Sequence, residues 1–472
     1  MDGIDSDRLA AALRVLAEVQ ELPSEHPDAI AVRRAVGGLF KTVKEQRRAA
    51  RRSAVREHDD AVTAATATGA PGRIDDETRG LPLRSRASGT RAGTLVRARA
   101  CYVCKQRYQE VDAFYHQLCR ACAARNHERR DAHTDLSGRR ALLTGGRAKI
   151  GMYIALRLLR DGAHTTITTR FPDDAVRRFT AMPDSAEWVD RLRVIGLDLR
   201  DPGQVVALAD DVAARGSLDI LINNAAQTVR RSPEAYAHLA AAAQAPLPSG
   251  ALPDVLTLGR AGQATAAGRP GAHWSPTPQA LTALALTAGS ASVERVASGS
   301  AIDAGGLAPD LHPHNSWSRV VGEVDPVELL EVQLCNQTAP FILISRLRPA
   351  LAASAARRAY IVNVSAMEGQ FSRGFKGPGH PHTNMAKAAL NMLTRTSAAE
   401  LFSDGILMTS VDTGWITDER PHPTKMRLAE EGFHAPLDLV DGAARVYDPI
   451  VRGEAGEDVH GLLLKDYAPS PW

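Results

Sequence analysis

The chain has 472 residues, of which 44% are hydrophobic and 24% charged, with a net charge of +3. That composition is ordinary for a globular protein with a sizeable core, and the net charge is too mild to point to nucleic acid by itself, although the basic residues are unevenly placed. No basic n-region followed by an apolar run opens the sequence, and no apolar stretch reaches membrane-spanning length; the expectation is a cytoplasmic protein of about three domains with no membrane contact.

Residues 7 to 60 read as helical. Leu9, Leu13 and Leu16 give one apolar stripe closed by Pro23, and Val32, Val36, Leu39, Phe40 and Val43 give another. From Arg33 to Arg56 basic residues dominate, with Glu45 the only acid in that run. Such a face either binds phosphate backbone or is the solvated side of a helical hairpin. Few aromatics interleave for base stacking, which favours the second reading. Residues 1–61 are therefore read as a helical basic region. Residues 62–99, rich in Ala, Thr, Gly, Ser and Arg, read as a linker, extended or partly disordered.

The pairs Cys101/Cys104 and Cys119/Cys122 follow, separated by fourteen residues. Each CxxC turn places two thiolates on one side of a tight knuckle, and two knuckles complete a tetrahedral four-sulfur site suited to structural Zn²⁺. Unpaired buried thiols and a redox pair are the alternatives, and nothing around either pair resembles a thioredoxin context. His116 and His127 are possible substitute ligands, and Phe114, Tyr115 and Leu118 should pack the knuckles. Residues 100–133 thus form a zinc-binding module. Together with the basic helices it is the surface on which a protein or nucleic-acid partner would dock, and a basic helix, Ala123 to Asp131, leads out of it.

Arg139 to Arg170 reads strand, glycine turn, helix, strand. Ala141 to Thr144 is a short buried strand, Gly145 and Gly146 punctuate it, and Ile150, Ile154, Ala155, Leu158 and Leu159 recur at helical spacing up to Gly162. Thr165 to Thr169 is a β-branched second strand. A βαβ unit of this kind presents glycine backbone and a helix N-terminus to a pyrophosphate, which points to dinucleotide binding. Leu192 to Leu199 gives a third strand ending at Asp198-Leu199, and Leu218 to Asn224 a fourth ending Asn223-Asn224-Ala225-Ala226.

These residues resemble the short-chain dehydrogenase/reductase superfamily, an α/β class with a doubly wound parallel sheet of Rossmann type. Thr144, Gly145 and Gly151 match the family loop TGxxxGxG, with Lys149 replacing the middle glycine; Asp198 matches the adenine position, and NNAA stands for NNAG. The resemblance assigns 137–472 to a dinucleotide-binding domain with a long insert at about 227–320. That insert is read as a lid of low order, with a short helix at Pro276 to Leu286 and no clear strands.

The resemblance also implies a site. Cofactor would be held by Thr144, Gly145, Gly146, Arg147, Lys149, Ile150, Gly151, Arg170, Asp198, Leu199, Asn224, Ala225 and Lys387. Gly414 and Ile416, after strand six at Ile406 to Val411, would cover the nicotinamide, with Thr413 where the family has Pro. Asn336, in a helix from Asp325 to Leu347, matches the family asparagine of a proton relay, and Cys335 beside it reads as a small core residue. Strand five, Tyr360 to Val364, precedes Ser365, one residue before the usual serine position; Lys387 stands at the lysine position of a helix from Met385 to Leu401, but Thr383 replaces the tyrosine. Gly461 to Leu464 reads as a further strand.

A threonine hydroxyl is a poor proton donor near neutral pH. His380, His382, Lys376 and Glu368 lie in the loop read before the helix, and histidine titrates in the useful range; an ordinary surface loop is the other reading. The resemblance therefore implies an NAD(P)-dependent oxidoreductase acting on a small-molecule carbonyl or alcohol, with atypical catalytic residues and the candidates Lys387, Asn336, Thr383, Ser365 and His382. The alternative is a catalytically silent nucleotide binder acting on a partner. Thr169-Arg170, with Arg147 and Lys149 nearby, favours NADP over NAD, because an acid at the second strand end would suit NAD. The family habit of pairing through the Asn336 and Lys387 helices implies a homo-oligomer, which an insert leading into the first helix would hinder.

Overall fold

The computed structural model describes residues 3–71, 73, 89–231, 236, 239, 243, 245–258, 307, 314–374, 376–417 and 419–472. The chain opens with a helical hairpin, α1 (Ser6–Glu21) and α2 (Pro27–Ala64). Asp5 caps α1 by accepting from the N–H groups of Asp7 and Arg8, and Pro27 starts α2 with its φ already set. The apolar stripe read on α1 finds little cover: Leu9 is 46% and Leu13 58% exposed, and Phe40 on α2 is 68% exposed. The basic residues of α2 lie on the same largely solvated helix.

Two antiparallel strands follow, β1 (Arg91–Ala100) and β2 (Arg107–Asp112), then α3 (Arg120–Arg130). This corrects the linker reading: residues 91–99 are the first strand of the cysteine module, and α2 runs three residues past its expected end. Leu95 is the one buried residue of β1, and Tyr108 and Val111 of β2 lie three apart, so neither strand carries the period-two signal that a sequence reading needs.

Among the remaining described residues, one nine-stranded sheet comprises β3 (Arg140–Leu143), β4 (His164–Thr169), β5 (Leu192–Gly196), β6 (Ile220–Asn223), β7 (Asp254–Thr257), β8 (Ala359–Ser365), β9 (Ile406–Asp412), β10 (Leu463–Lys465) and β11 (Ala468–Ser470). The order is β11-β10-β9-β8-β6-β3-β4-β5-β7, parallel throughout except for the β10–β11 hairpin. The helices are α4 (Lys149–Arg160), α5 (Pro172–Thr180), α6 (Pro202–Ala214), α7 (Pro326–Gln333), α8 (Ala339–Ala352), α9 (Pro381–Phe402), α10 (His422–Glu430) and α11 (Leu439–Glu454). One core layer joins α4, α5 and α11 to the sheet and continues into the cysteine module; the other joins α6, α8 and α9. This is the doubly wound parallel architecture expected from the sequence, with strand order reversing between β3 and β6.

Three further expectations change. The insert contributes β7, paired in parallel with β5, so it extends the sheet edge; its proposed helix at Pro276 to Leu286 lies outside the described residues. The helix read from Asp325 is interrupted by a π-turn at Leu334–Thr338 between α7 and α8. α9 begins at Pro381, so His382 and Thr383 are helical. Pro381 at the first helical position makes this start possible, because its missing N–H needs no partner there. Among the described residues no helix is long and apolar enough to cross a membrane.

Candidate functional site

The glycine turn after β3 is held from both sides. Thr144 Oγ1 accepts the backbone N–H groups of Asn224 and Ala225, each at 3.0 Å. Asn224 Nδ2 donates back to the carbonyls of Thr144 and Gly145, both at 3.1 Å. Gly145 N–H donates to Thr168 Oγ1 at 3.1 Å, a contact from β4 that the sequence pattern did not mark. A Cβ on Gly151 would lie 2.0 Å from the Gly145 carbonyl oxygen, so only glycine lets the first turn of α4 pass this close to the loop. Lys149 stands at the replaced glycine with φ 53°, the left-handed region that explains the family glycine and that costs an ordinary side chain about 1 kcal/mol or more. Ile150 packs at the foot of this turn, facing Gly442 of α11.

Arg147 and Arg170 converge on one ring. Their guanidinium carbons lie 5.4 and 5.6 Å from the Phe171 centroid, and Arg170 also lies 5.0 Å from Tyr236 and bonds its hydroxyl at 3.2 Å. Arg147 is ion-paired with Asp174 in the first turn of α5. Asp198, at the expected adenine position, is engaged by Arg200: its carboxylate accepts from Nε and Nη2 at 2.6–3.1 Å. Burial raises the Asp198 pKa, but the bonds and charge of Arg200 more than offset this and leave it below the usual carboxylate range. Arg200 reaches on to Glu331 of α7 at 3.0 Å, and Gln227 Nε2 bonds the same carboxylate. Leu199 packs against the second core layer.

At the other end, Asn336 sits in the π-turn with its side chain clasping the backbone of Gln227: Oδ1 accepts the N–H at 2.7 Å and Nδ2 donates to the carbonyl at 3.0 Å. The extra residue of the π-turn aims Asn336 inward at the residue after NNAA. Lys387 is buried on α9 and donates to the Val364 carbonyl at 2.7 Å. Burial lowers its pKa to about 8, against the opposing pull of Glu368 and Cys335. The Cys335 thiol is pushed up to about 11 by burial.

The hydroxyls of Ser365 and Thr383 are both buried and have no hydrogen-bond partner among the described residues. His382 is 1% exposed, and neither ring nitrogen is hydrogen-bonded; Nε2 faces Glu328 Oε1 at 3.7 Å. Burial acts to raise the Glu328 pKa, while His382, Ser316 and Arg319 together hold it below its usual value. His380 stacks on Trp317 with ring centroids 3.9 Å apart, and its Nδ1 bonds the Trp317 carbonyl; burial lowers its pKa. The surface-loop reading therefore fails for His382, which is packed inside against α7. Lys376 turns away, donating to the carbonyls of Met367 and Glu368.

The four module cysteines place their sulfurs within 4.8 Å of one another, with Cys104 and Cys119 3.6 Å apart. Zinc–sulfur bonds of about 2.3 Å in a tetrahedron set neighbouring sulfurs roughly 3.8 Å apart, so the spacing fits a four-thiolate ion site. Cys101 Sγ accepts the Cys119 N–H at 3.3 Å, and Lys105 takes φ 63° as the first knuckle turns back. His116 bonds Thr68 and His127 bonds Asp112, which removes both from the ligand set. Phe114, Tyr115 and Leu118 are buried under the knuckles as expected.

Gly414, at φ 77°, and Ile416 follow β9 in the loop at the sheet's C-terminal edge, with Gly414 N–H bonded to Asp412 at 2.9 Å. The described geometry thus brings the cradle, Asn336 and Lys387 to the strand ends of one sheet. No local pattern marks Gln227 or Glu328, because their contacts with Asn336 and His382 come from segments far along the chain.

Residues 139–243 match the family model for short chain dehydrogenase. An uncharacterized protein of Acanthamoeba polyphaga mimivirus is 29% identical over 364 residues, covering 75% of this chain and 71% of that protein. A probable oxidoreductase of Streptomyces antibioticus is 40% identical over 91 residues, 19% of this chain and 30% of that protein, so the chain spans under a third of this relative. Among solved structures, NADPH-bound carbonyl reductase from chicken fatty liver aligns with TM-score 0.43 at 17% identity, covering 71% of this chain and all of the other. A short chain dehydrogenase from Burkholderia cenocepacia in complex with NADP aligns with TM-score 0.44 at 20% identity, covering 70% and 97%.

Proposed function

We propose that this chain, which carries a short-chain dehydrogenase/reductase domain, binds NADP along the β3–β6 strand ends and acts as an oxidoreductase on a small carbonyl or alcohol. The observation that carries this reading is the closed glycine turn, Thr144 to Gly151 tied to Asn224 and Ala225, with Lys387 and Asn336 at the same sheet edge. When bound, the nicotinamide would supply or take the hydride. The turn and the N-terminus of α4 would hold the pyrophosphate. Arg147 and Arg170, gathered on Phe171, would take a 2′-phosphate. Lys387 would hold the ribose.

The proton needs a donor other than tyrosine. His382 is buried beside Thr383 with unbonded ring nitrogens, and His380 stands two residues before it. One of them would give the proton to a reduced carbonyl, directly or through a water. A silent nucleotide binder is the second reading, and the tyrosine-to-threonine replacement at Thr383 favours it. The cysteine cluster would hold a structural zinc ion. Chain pairing, and a partner on the module and basic helices, are further proposals.

Calorimetric titration with NADPH and NADH tests the cofactor: NADPH should bind more tightly, and Arg170→Ala should narrow the gap. Equal affinity, or preference for NADH, rejects it. With a carbonyl panel, His380→Ala or His382→Ala should lower turnover by about 10²- to 10⁴-fold while nucleotide still binds. Retained activity in both rejects the histidine donor, and NADPH binding without any turnover selects the silent reading.

A further inference from the structure

The cysteine module is docked on the sheet domain at the loop after β9 and at the start of α11. Tyr102, between Cys101 and Cys104, accepts the Trp415 N–H on its hydroxyl at 2.8 Å. A Cβ on Gly414 would be 3.5 Å from that same oxygen. The Tyr102 backbone is fixed in turn by the second knuckle, since its N–H donates to the Gln117 carbonyl at 2.8 Å. Further contacts surround this one. Gln117 bonds the His434 carbonyl, and Arg73 bonds the carbonyls of Ala435 and Leu437. Tyr115 bonds Asp441 at 2.6 Å, and Arg130, fully buried, pairs with Asp438 and Asp441 at the capping box of α11.

These outer contacts hold the module to the domain as a body. The Tyr102 contact differs, because it runs from inside a knuckle to the loop bearing Gly414 and Ile416. The loop has other ties, Gly414 N–H to Asp412 and Leu437 N–H to the Trp415 carbonyl, but these come from its own domain. A knuckle closed on an ion holds the Cys101–Cys104 turn in one conformation, and with it the tyrosine hydroxyl.

The geometry points to Tyr102 as a positioning residue that couples metal occupancy of the Cys101, Cys104, Cys119 and Cys122 cluster to affinity for the nicotinamide half of the dinucleotide. This rests on the NADP and zinc readings above. Tyr102 acts through the Trp415 amide and the loop.

The test uses the full chain, with zinc content, NADPH and adenosine 2′,5′-bisphosphate titrations, and hydrogen exchange of the peptide holding Trp415. Tyr102→Phe keeps the ring and removes one hydrogen bond. It should retain zinc and melting temperature, weaken NADPH about 3- to 10-fold and leave the bisphosphate unchanged, because only the nicotinamide half meets the loop. The Trp415 amide should exchange faster. Cys104→Ser should release zinc and reproduce the NADPH loss, and the double variant should be no weaker than Cys104→Ser alone. Unchanged NADPH affinity in Tyr102→Phe, equal weakening of both ligands, additive losses, or an absence of zinc in the wild type each overturns the proposal. If neither nucleotide binds the wild type, the NADP reading has failed separately. Exchange at Trp415 then reads the link from cluster to loop alone: faster exchange on both chelation and Tyr102→Phe supports that link, and no change overturns it.

Discussion

The cradle end of this sheet and the β8–α9 end, proposed above as the reaction end, are built on opposite terms. Around the glycine turn, the polar atoms of Thr144 and Asn224 are matched to donors and acceptors supplied by the same loops. Around β8 and α9, Ser365 Oγ, Thr383 Oγ1 and both nitrogens of His382 are buried with no bonded partner among the described residues, and a buried ammonium is held with its pKa lowered. A satisfied network rigidifies, whereas unmet buried polar atoms each cost about 1–3 kcal/mol and persist where a ligand completes them. The contrast separates a cradle whose polar atoms are satisfied from an end where several are not.

The largest effect expected from this contrast is at Lys387. Its folded pKa of about 8 lies below the unfolded value of about 10.4. The buried cation therefore costs stability below pH 8, and this cost fades as pH rises through the window up to about 10.4, where the unfolded chain binds more protons. Urea unfolding at the two ends of that window should show wild type gaining up to about 3 kcal/mol relative to Lys387→Met. Parallel pH dependence in the two proteins would mean that the Lys387 ammonium is solvated in the folded chain.

Next in size is the cradle itself. Thr144→Val keeps the shape and removes the acceptor of two backbone N–H groups. It should cost about 2 kcal/mol in denaturant unfolding and weaken NADPH. A neutral outcome would show that water replaces the hydroxyl, and that the cradle is no better satisfied than the other end. The smallest effect has the opposite sign: Ser365→Ala removes an unpartnered buried hydroxyl and should raise stability by about 1 kcal/mol. A loss of stability on that substitution would reveal a hidden partner for Ser365.

Much of the cradle was legible in the sequence. The 3.6- and 2-residue periodicities of Arg139 to Arg170 are local, and the glycines mark backbone positions that side chains cannot occupy, so pattern and structure coincide at Gly145 and Gly151. Lys149 was legible only as a departure. The structure shows that it keeps the left-handed backbone of the glycine it replaces. At the β8–α9 end the sequence places the helix start at Met385, one turn late, because the polar and glycine-rich stretch before it masks Pro381 as the first residue of α9.

By itself the sequence determined the βαβ unit, the paired CxxC knuckles and the Asn336 and Lys387 positions, since each depends on spacing within a short segment. Only the tertiary structure decided that residues 91–100 pair with β2, that Asp254–Thr257 of the insert joins the sheet beside β5, and that His382 turns inward to Glu328. It alone placed the Tyr102 hydroxyl on the Trp415 amide, 313 residues away. Edge strands, buried charge pairs and docking contacts draw their stability from partners far along the chain, and no local periodicity records which distant segment will supply them.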